Sequence, residues 1–436
     1  MQNTLTIEDL KKEGVEFVVS LAKGDFVSAS ARFDPALKNA QHEAKLRESW
    51  KQLESLAGAV NQVAGSRTEN QQGFQIVYVT CQFAQGTFDV RLVFNDKGLI
   101  CGVNFVPTQA LNPYRPPAYV DQAAFKEQEV TVGDGEWALP GTLSMPEGGG
   151  PFPGVVLVHG SGPQDRDESI GPNKTFRDLA WGLASSGVAV MRYDKRTFAH
   201  KEKYSKETAA KVTSKEEVTD DALKAVILLR NTPNIDPKQV FLLGHSLGAT
   251  LAPRIGVADP AIAGLIVMAG TTRSLEDAIW DQVNYIYSLS DSLTEERKTS
   301  LETLKAQVAR AKDPNLTEET PSKELPLGMP AQYLLDFRGY HPEEIAKTLA
   351  MPILVLQGGR DYQVTAAQDF ETWKTALHDR PDTTFILYPK LNHLFIEGEG
   401  KPTPQEYSVE GHMNEAVVKT IADWIREGPR KTPKKI

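Results

Sequence analysis

The chain holds 436 residues, 40% hydrophobic and 24% charged, a composition that excludes wholesale disorder and a length that favours two or three domains. Its 48 Lys and Arg stand against 57 Asp and Glu, a net charge of −9, so nucleic-acid binding through a basic surface is not expected. The one basic run is the terminal Arg430–Lys435 tail, and the two cysteines, Cys81 and Cys101, are too few for a disulfide scaffold or a Cys-based zinc site. Two unpaired, buried thiols are expected rather than one bridge.

Thr6 is placed to cap a helix whose Ile7, Leu10, Phe17, Val18 and Leu21 share one face, with Gly24 ending it. The opening MQNTLTIEDLKKEG lacks the basic-then-apolar pattern of an export signal. As written the protein is expected to be cytoplasmic, and secreted if a signal preceded it. Leu46, Trp50 and Leu53 predict a further helix over Glu43–Leu56. The period then changes to two. Phe74–Phe83, Thr87–Phe94 and Leu99–Phe105 predict strands joined by turns at Gln85-Gly86 and at Asn95 to Gly98. Helices followed by an antiparallel meander predict a small α+β domain over residues 1–106. Prolines at 107, 113, 116 and 117 mark a linker over residues 107–126.

From residue 127 strands and helices alternate. Val130–Val132 and Leu139–Met145 predict an opening hairpin, and Val155–Val158 is a continuous apolar run, as in a parallel strand buried on both faces. Phe176, Leu179, Ala180 and Leu183 form a helical stripe before a second buried strand, Val188–Met191. Ser214 and Glu217 suggest a capping box for the next helix. Further buried strands are expected at Val240–Leu243, Gly264–Met268, Ile353–Leu356 and Thr384–Leu387, with a closing helix over Asn414–Ile425. This alternation predicts an α/β domain with a doubly wound, mostly parallel sheet over residues 127–430. One insertion, residues 271–345, carries helices and no convincing strand. It reads as a helical cap over the catalytic end of the sheet, the alternative being a structural extension away from any site.

The leading chemical signal is Gly244-His245-Ser246-Leu247-Gly248, between an apolar strand and the helix-compatible Ala249–Ala252. That setting suits a nucleophile elbow: a tight strand-to-helix turn strains the serine backbone, glycines flank it to avoid clashes, and the helix N-terminus offers N–H groups to an oxyanion. A serine hydroxyl needs a base, and the base an orienting acid, expected in the order Ser, acid, His on loops after late strands. Asp361 follows the strand Ile353–Leu356, with Asp369 as a nearby competitor. His393 follows Thr384–Leu387; of His341, His378 and His412, only His412 competes seriously.

The second oxyanion donor should come from the loop after the first buried strand, His159-Gly160-Ser161-Gly162. Ser161 N–H would join Leu247 N–H there, Gly160 would let the backbone approach substrate, and His159 would support the loop. Asp165 to Glu168 read as a solvated charged loop or as ion pairs fastening it. Tyr193 to Arg196 could line the site or form a structural salt-bridge cluster.

Together, His159 to Gly162, Gly244 to Gly248, Gly359-Arg360-Asp361 and Asn392-His393 resemble the α/β-hydrolase superfamily. The closest likeness is to bacterial serine esterases related to dienelactone hydrolases and acyl-peptidases. The resemblance implies an acyl-serine mechanism with Ser246 as nucleophile, His393 as base and Asp361 as its acid, and no metal or organic cofactor. Dienelactone hydrolases proper use a cysteine nucleophile; the serine here favours ester hydrolysis. The N-terminal domain resembles the cone-shaped nuclear-transport-factor-like fold, with a role the likeness leaves open.

The expected activity is cleavage of esters of small to medium acyl groups, falling as the pH drops through the imidazole range. Trp280, Tyr285, Tyr287 and Tyr333 would supply an apolar wall from the cap, with Tyr193 a further candidate for substrate contact. A peptidase, thioesterase or lactonase on the same triad stays open, as does a non-enzymatic binding protein. The expected partner is a small-molecule ester, with no nucleic acid and no membrane span. Self-association through the N-terminal domain or the cap is a further expectation.

Overall fold

The computed structural model describes residues 6–40, 43–71, 74–84, 86–107, 114–204, 211–290 and 292–428. The basic tail, the first residues of the chain, Gln85 of the first turn and Pro113 of the expected linker lie outside them. Two compact units emerge, one built on residues 1–115 with the short segments 171–173 and 405–410, the other on the remainder.

In the first unit α1 (Ile7–Ala22) starts at a capping box. Thr6 Oγ1 accepts from Asp9 N–H, and Asp9 Oδ2 accepts from Thr6 N–H. Its buried stripe, Leu10, Gly14, Phe17, Val18 and Leu21, lies on the sheet, and a Cβ at Gly14 would come within 3.1 Å of Val77. Helices α2 (Phe26–Ala31), α3 (Pro35–Ala40) and α4 (Glu43–Ala57) follow. The antiparallel sheet runs β1 (Val60–Gln71), β2 (Phe74–Phe83), β3 (Gly86–Phe94), β4 (Ile100–Pro107), in that order. Strand β1 is not among the strands expected from the sequence. It is an edge strand with two register shifts against β2 and no buried side chain among its described residues, so it shows no apolar alternation. Both cysteines are free. Burial, with Asp89 adding to it, pushes the Cys81 thiol up to about 12, while Cys101 is half-buried rather than buried.

The second unit holds an eight-stranded sheet of β5 (Phe125–Val132), β6 (Leu139–Pro146), β7 (Phe152–Val158), β8 (Ala189–Tyr193), β9 (Ile235–His245), β10 (Leu265–Met268), β11 (Ile353–Gly358) and β12 (Thr383–Tyr388). Their spatial order is β12-β11-β10-β9-β7-β8-β6-β5. Strands β12 through β8 are parallel, and β6 and β5 close the edge antiparallel. The expected linker thus ends in strand, since β5 begins at Phe125.

Side-chain alternation divides the core. Val156, Val158 and Leu242 pack under α6 (Asp220–Arg230) and α7 (Leu247–Ala258), while Val155, Leu157 and Leu243 pack under α5 (Thr175–Ser185) and α13 (Glu415–Glu427). Both faces are covered, so the strands read as unbroken apolar runs. Each fully buried Val or Leu contributes about 1.5–3 kcal/mol, so a few offset one strained residue at about 1–3 kcal/mol. Between β10 and β11 lie α8 (Leu275–Tyr287), α9 (Glu295–Lys312), α10 (Ala331–Phe337) and α11 (Pro342–Lys347). The short α12 (Glu371–Ala376) follows β11.

One expected cap is displaced. Ser214 makes no capping bond; Thr213 pairs with Glu216 instead, one residue earlier. A π-helical turn, Lys215–Thr219, leads into α6 and turns Glu217 inward, where a buried lysine occupies it.

Candidate active site

Strand β9 ends in the turn that carries Ser246, at φ 53°, ψ −115°, a left-handed conformation costly for a residue with a Cβ. The close approach that forces it is visible at both flanks. A Cβ on Gly244 would lie 2.2 Å from Gly248 O, and one on Gly248 would lie 2.2 Å from Val158 O. Ser246 N–H donates to Met268 O at 2.9 Å, its carbonyl accepts from Thr250 N–H at 2.9 Å, and α7 starts at Leu247. Its hydroxyl makes no hydrogen bond among the described residues and faces a cavity of about 380 Å³ that Ser161, Gly162 and Leu247 also line. The dipole of α7 favours negative charge at that spot.

His393 and Asp361 come together although 32 positions apart: Nδ1 lies 2.6 Å from Oδ2. Asp361 Oδ1 accepts from Gln363 N–H at 2.8 Å and Val364 N–H at 3.0 Å, and Oδ2 from Gln357 Nε2 at 3.2 Å. The loops bearing these residues touch through backbone. A Cβ on Gly358 would lie 2.6 Å from Asn392 O and one on Gly359 2.7 Å from Pro389 Cα, so the Gly-Gly pair before Arg360 is a packing requirement. His393 lies beside the elbow: its ring is 4.8 Å from that of His245, whose Nε2 donates to His393 O at 2.9 Å. The competing residues are engaged elsewhere. His412 pairs with Asp178 of α5, His341 and His378 are exposed, and Asp369 binds Arg273 and Thr271.

The loop after β7 is clamped from both sides. Gly160 N–H donates to Glu168 Oε1 at 2.7 Å, and Gly160 O accepts from Lys195 Nζ at 2.9 Å. A Cβ on Gly160 would stand 3.2 Å from Ser246 Cβ. Glu168 Oε2 makes an ion-pair contact with His245 Nδ1 at 2.9 Å. Burial disfavours charge on both, but their mutual attraction outweighs it, holding the Glu168 carboxyl below and the His245 imidazole above their usual values. The Asp165 to Glu168 charges, open between solvated loop and ion pairs, are paired, Asp167 with buried Arg192 and half-buried Arg166 with Asp194 at 3.0 Å; in the Tyr193 to Arg196 cluster, Lys195 pairs with Glu217 at 3.1 Å.

His159 packs against Phe176 and Tyr193, and its Nε2 finds no hydrogen-bond partner among the described residues. Burial, opposed by Glu168, lowers its imidazole to about 4. The unfolded chain therefore takes up a proton between about pH 6.5 and 4 that the folded chain refuses, and stability falls as the pH falls through that window. At pH 5 this group alone removes about 2 kcal/mol. Denaturant melts at pH 7 and pH 5 should show His159→Phe losing about 2 kcal/mol less than the wild type; equal losses would contradict a neutral, buried His159.

Four expected substrate contacts, Tyr193, Trp280, Tyr285 and Tyr287, are not among the described residues that line the cavity. Tyr193 is 2% exposed, in the core beneath the sheet, because strand alternation turns it away from the cavity. Trp280 packs inside the insertion with Ile279, Leu304 and Val308, while its helix neighbours Ala278 and Gln282 face the cavity. Tyr285 stacks on Tyr362 at 4.9 Å and donates to Pro402 O. Tyr287 sits beside Arg297. Of the insertion's aromatics, Tyr333 and Phe337 line the cavity, and Leu275, Ile279, Met329 and Val364 are among its other apolar lining residues. The two charged residues in the described lining are both paired: Arg273 with Asp369 at 2.8 Å and Asp281 at 2.7 Å, and Glu217 with Lys195 and the Tyr333 hydroxyl.

The profile of the family described as serine aminopeptidase, S33, matches residues 154–399, and that of a family described as protein of unknown function (DUF3887) matches residues 15–103. The chain is 39% identical over 415 residues, 95% of both chains, to the esterase EstD of Thermotoga maritima. Among solved structures, the acylaminoacyl peptidase of Pyrococcus horikoshii aligns at a TM-score of 0.48 and 15% identity, over 86% of this chain and 57% of that one. The chain thus spans little more than half of that peptidase. An esterase of Pyrococcus furiosus aligns at 0.44 and 14% identity, over 74% of this chain and 97% of the other.

Proposed function

The chain belongs to the serine aminopeptidase S33 family, and from that premise we propose that it hydrolyses carboxylic esters through an acyl-enzyme formed on Ser246. Ser246 Oγ bonds to the acyl carbon while its proton passes to His393 Nε2. The carbonyl oxygen becomes an oxyanion held by Leu247 N–H and Ser161 N–H, each such donor typically worth about 10²–10³ in turnover. The intermediate then breaks the bond to the alcohol oxygen, which takes the proton from His393. Water repeats the sequence: it gives a proton to His393, attacks the acyl carbon, and releases the acid as Ser246 recovers its proton. Residues 271–345 act as the cap, bounding the acyl side of the site through Tyr333 and Phe337.

One observation carries this reading: the strained elbow serine faces an apolar cavity, and the tightly paired His393 and Asp361 adjoin the elbow through the bond from His245 to His393 O. The same cavity favours esters over amino-terminal peptides. An aminopeptidase needs a carboxylate for the substrate's α-ammonium group, and the one carboxylate among the described lining residues, Glu217, is taken by Lys195 and Tyr333.

A panel of p-nitrophenyl esters of rising acyl length, set against aminoacyl p-nitroanilides, tests this. The esters should exceed the anilides in kcat/KM by at least ~100-fold, with a neutral medium-chain acyl group best. Faster turnover of the anilides would replace the esterase reading with a peptidase on the same residues.

A further inference from the structure

The peptide linking Gly160 to Ser161 has two ends with different uses. Its N–H, on Ser161, is the oxyanion donor of the mechanism above; its C=O, on Gly160, is held by Lys195 Nζ at 2.9 Å. A trans peptide is planar, so its C=O and N–H point in opposite directions and turning one turns the other. The atom that fixes the carbonyl therefore aims the donor. A cation on that carbonyl also polarises the peptide and strengthens the N–H as a donor.

Lys195 is itself fixed by the cap. It is 2% exposed, and its charge is balanced by Glu217 Oε1 at 3.1 Å. Glu217 is presented by the π-helical turn, and its other oxygen, Oε2, accepts from the Tyr333 hydroxyl at 2.8 Å. Tyr333 belongs to α10 of the insertion, and its ring stacks on Phe337 in the cavity wall. A buried ion pair with a defined set of partners tolerates little misplacement, because a lost partner leaves a charge unsatisfied in a low dielectric.

We infer that Lys195 is the positioning residue of the oxyanion hole, and that Tyr333 couples the seating of the cap to it through Glu217. An acyl chain filling the cavity presses on the Tyr333 ring, so the donor is best aimed when the site is occupied. This rests on the esterase reading and deepens it.

A double-mutant cycle with Tyr333→Phe and Lys195→Met on one p-nitrophenyl ester tests the coupling. Tyr333→Phe keeps the ring in the cavity wall and removes only the hydroxyl. It should lower kcat about 10-fold with KM within about twofold; Lys195→Met should lower kcat about 100-fold, the cost of one misaimed donor. The double variant should match Lys195→Met alone, because the hydroxyl acts through the lysine. Should Lys195→Met fail to fold, Lys195→Met/Glu217→Gln removes both charges together and takes its place in the cycle. A wild-type kcat in Tyr333→Phe, a change confined to KM, or effects that multiply in the double variant would each overturn the inference. A hydroxyl with a merely structural role would lower the melting temperature and leave kcat unchanged, which also counts against it. Failure of the esterase reading looks different: the wild type would neither turn over the ester nor take a fluorophosphonate label on Ser246.

Discussion

Ser246→Ala is expected to lower kcat for a p-nitrophenyl ester by about 10⁶ and to abolish labelling by a fluorophosphonate probe. The bond-forming atom disappears, and among the described residues lining the cavity no other serine or cysteine sits at a strained strand-to-helix turn. The residual rate should come from the oxyanion donors and the cavity alone. The fold should survive, because the Ser246 hydroxyl has no hydrogen bond among the described residues and alanine bears the same backbone strain at φ 53°. Circular dichroism and the thermal midpoint should therefore match the wild type. Turnover above a tenth of the wild-type rate, or a label that persists, would sink the assignment.

Asp361→Asn is expected to cost about 10⁴ in kcat with little change in KM, and the local hydrogen bonds explain why. Oδ1 of Asp361 accepts two backbone N–H groups, from Gln363 and Val364, so an asparagine must place its amide oxygen there. Its NH₂ then faces His393 Nδ1, where the carboxylate Oδ2 stood at 2.6 Å. A donor on that side forces the imidazole proton onto Nε2, the nitrogen that must accept from Ser246. The same NH₂ meets the Gln357 Nε2 donor at a position built for an acceptor. Steady-state kinetics on the folded variant decide it: a loss below about tenfold would mean that Asp361 does not set the tautomer.

The parallel strands were legible because burial on both faces leaves unbroken apolar runs, as in Val155–Val158 and Leu354–Leu356. Strand β1 was not, because an edge strand without a buried face carries no such pattern. The elbow was legible because its glycines and strand-to-helix setting are local. Glu168, Lys195 and Glu217 were not: a charged residue in a single sequence looks the same whether it is solvated or meets its partner inside. A faint signal existed, since Lys195 lies two residues past a buried strand. The aromatics of residues 271–345 failed for a geometric reason. Successive helical residues turn by about 100°, so Ala278, Ile279 and Gln282 reach the cavity while Trp280 stays in the packing of the insertion, and only packing selects which residue meets the cavity.

What the amino-acid order determined alone is everything that rests on neighbours in the chain: the strand–helix alternation, the elbow at Ser246, and the placing of an acid and a histidine after late strands. What the tertiary structure alone decided is partnership: His393 against Asp361, Glu168 against His245, and Lys195 between Gly160 and Glu217. The physical reason is range. Backbone preference and burial period act within a few residues, whereas a buried charge is tolerable only beside a particular opposite charge, and folding brings that partner from tens of positions away.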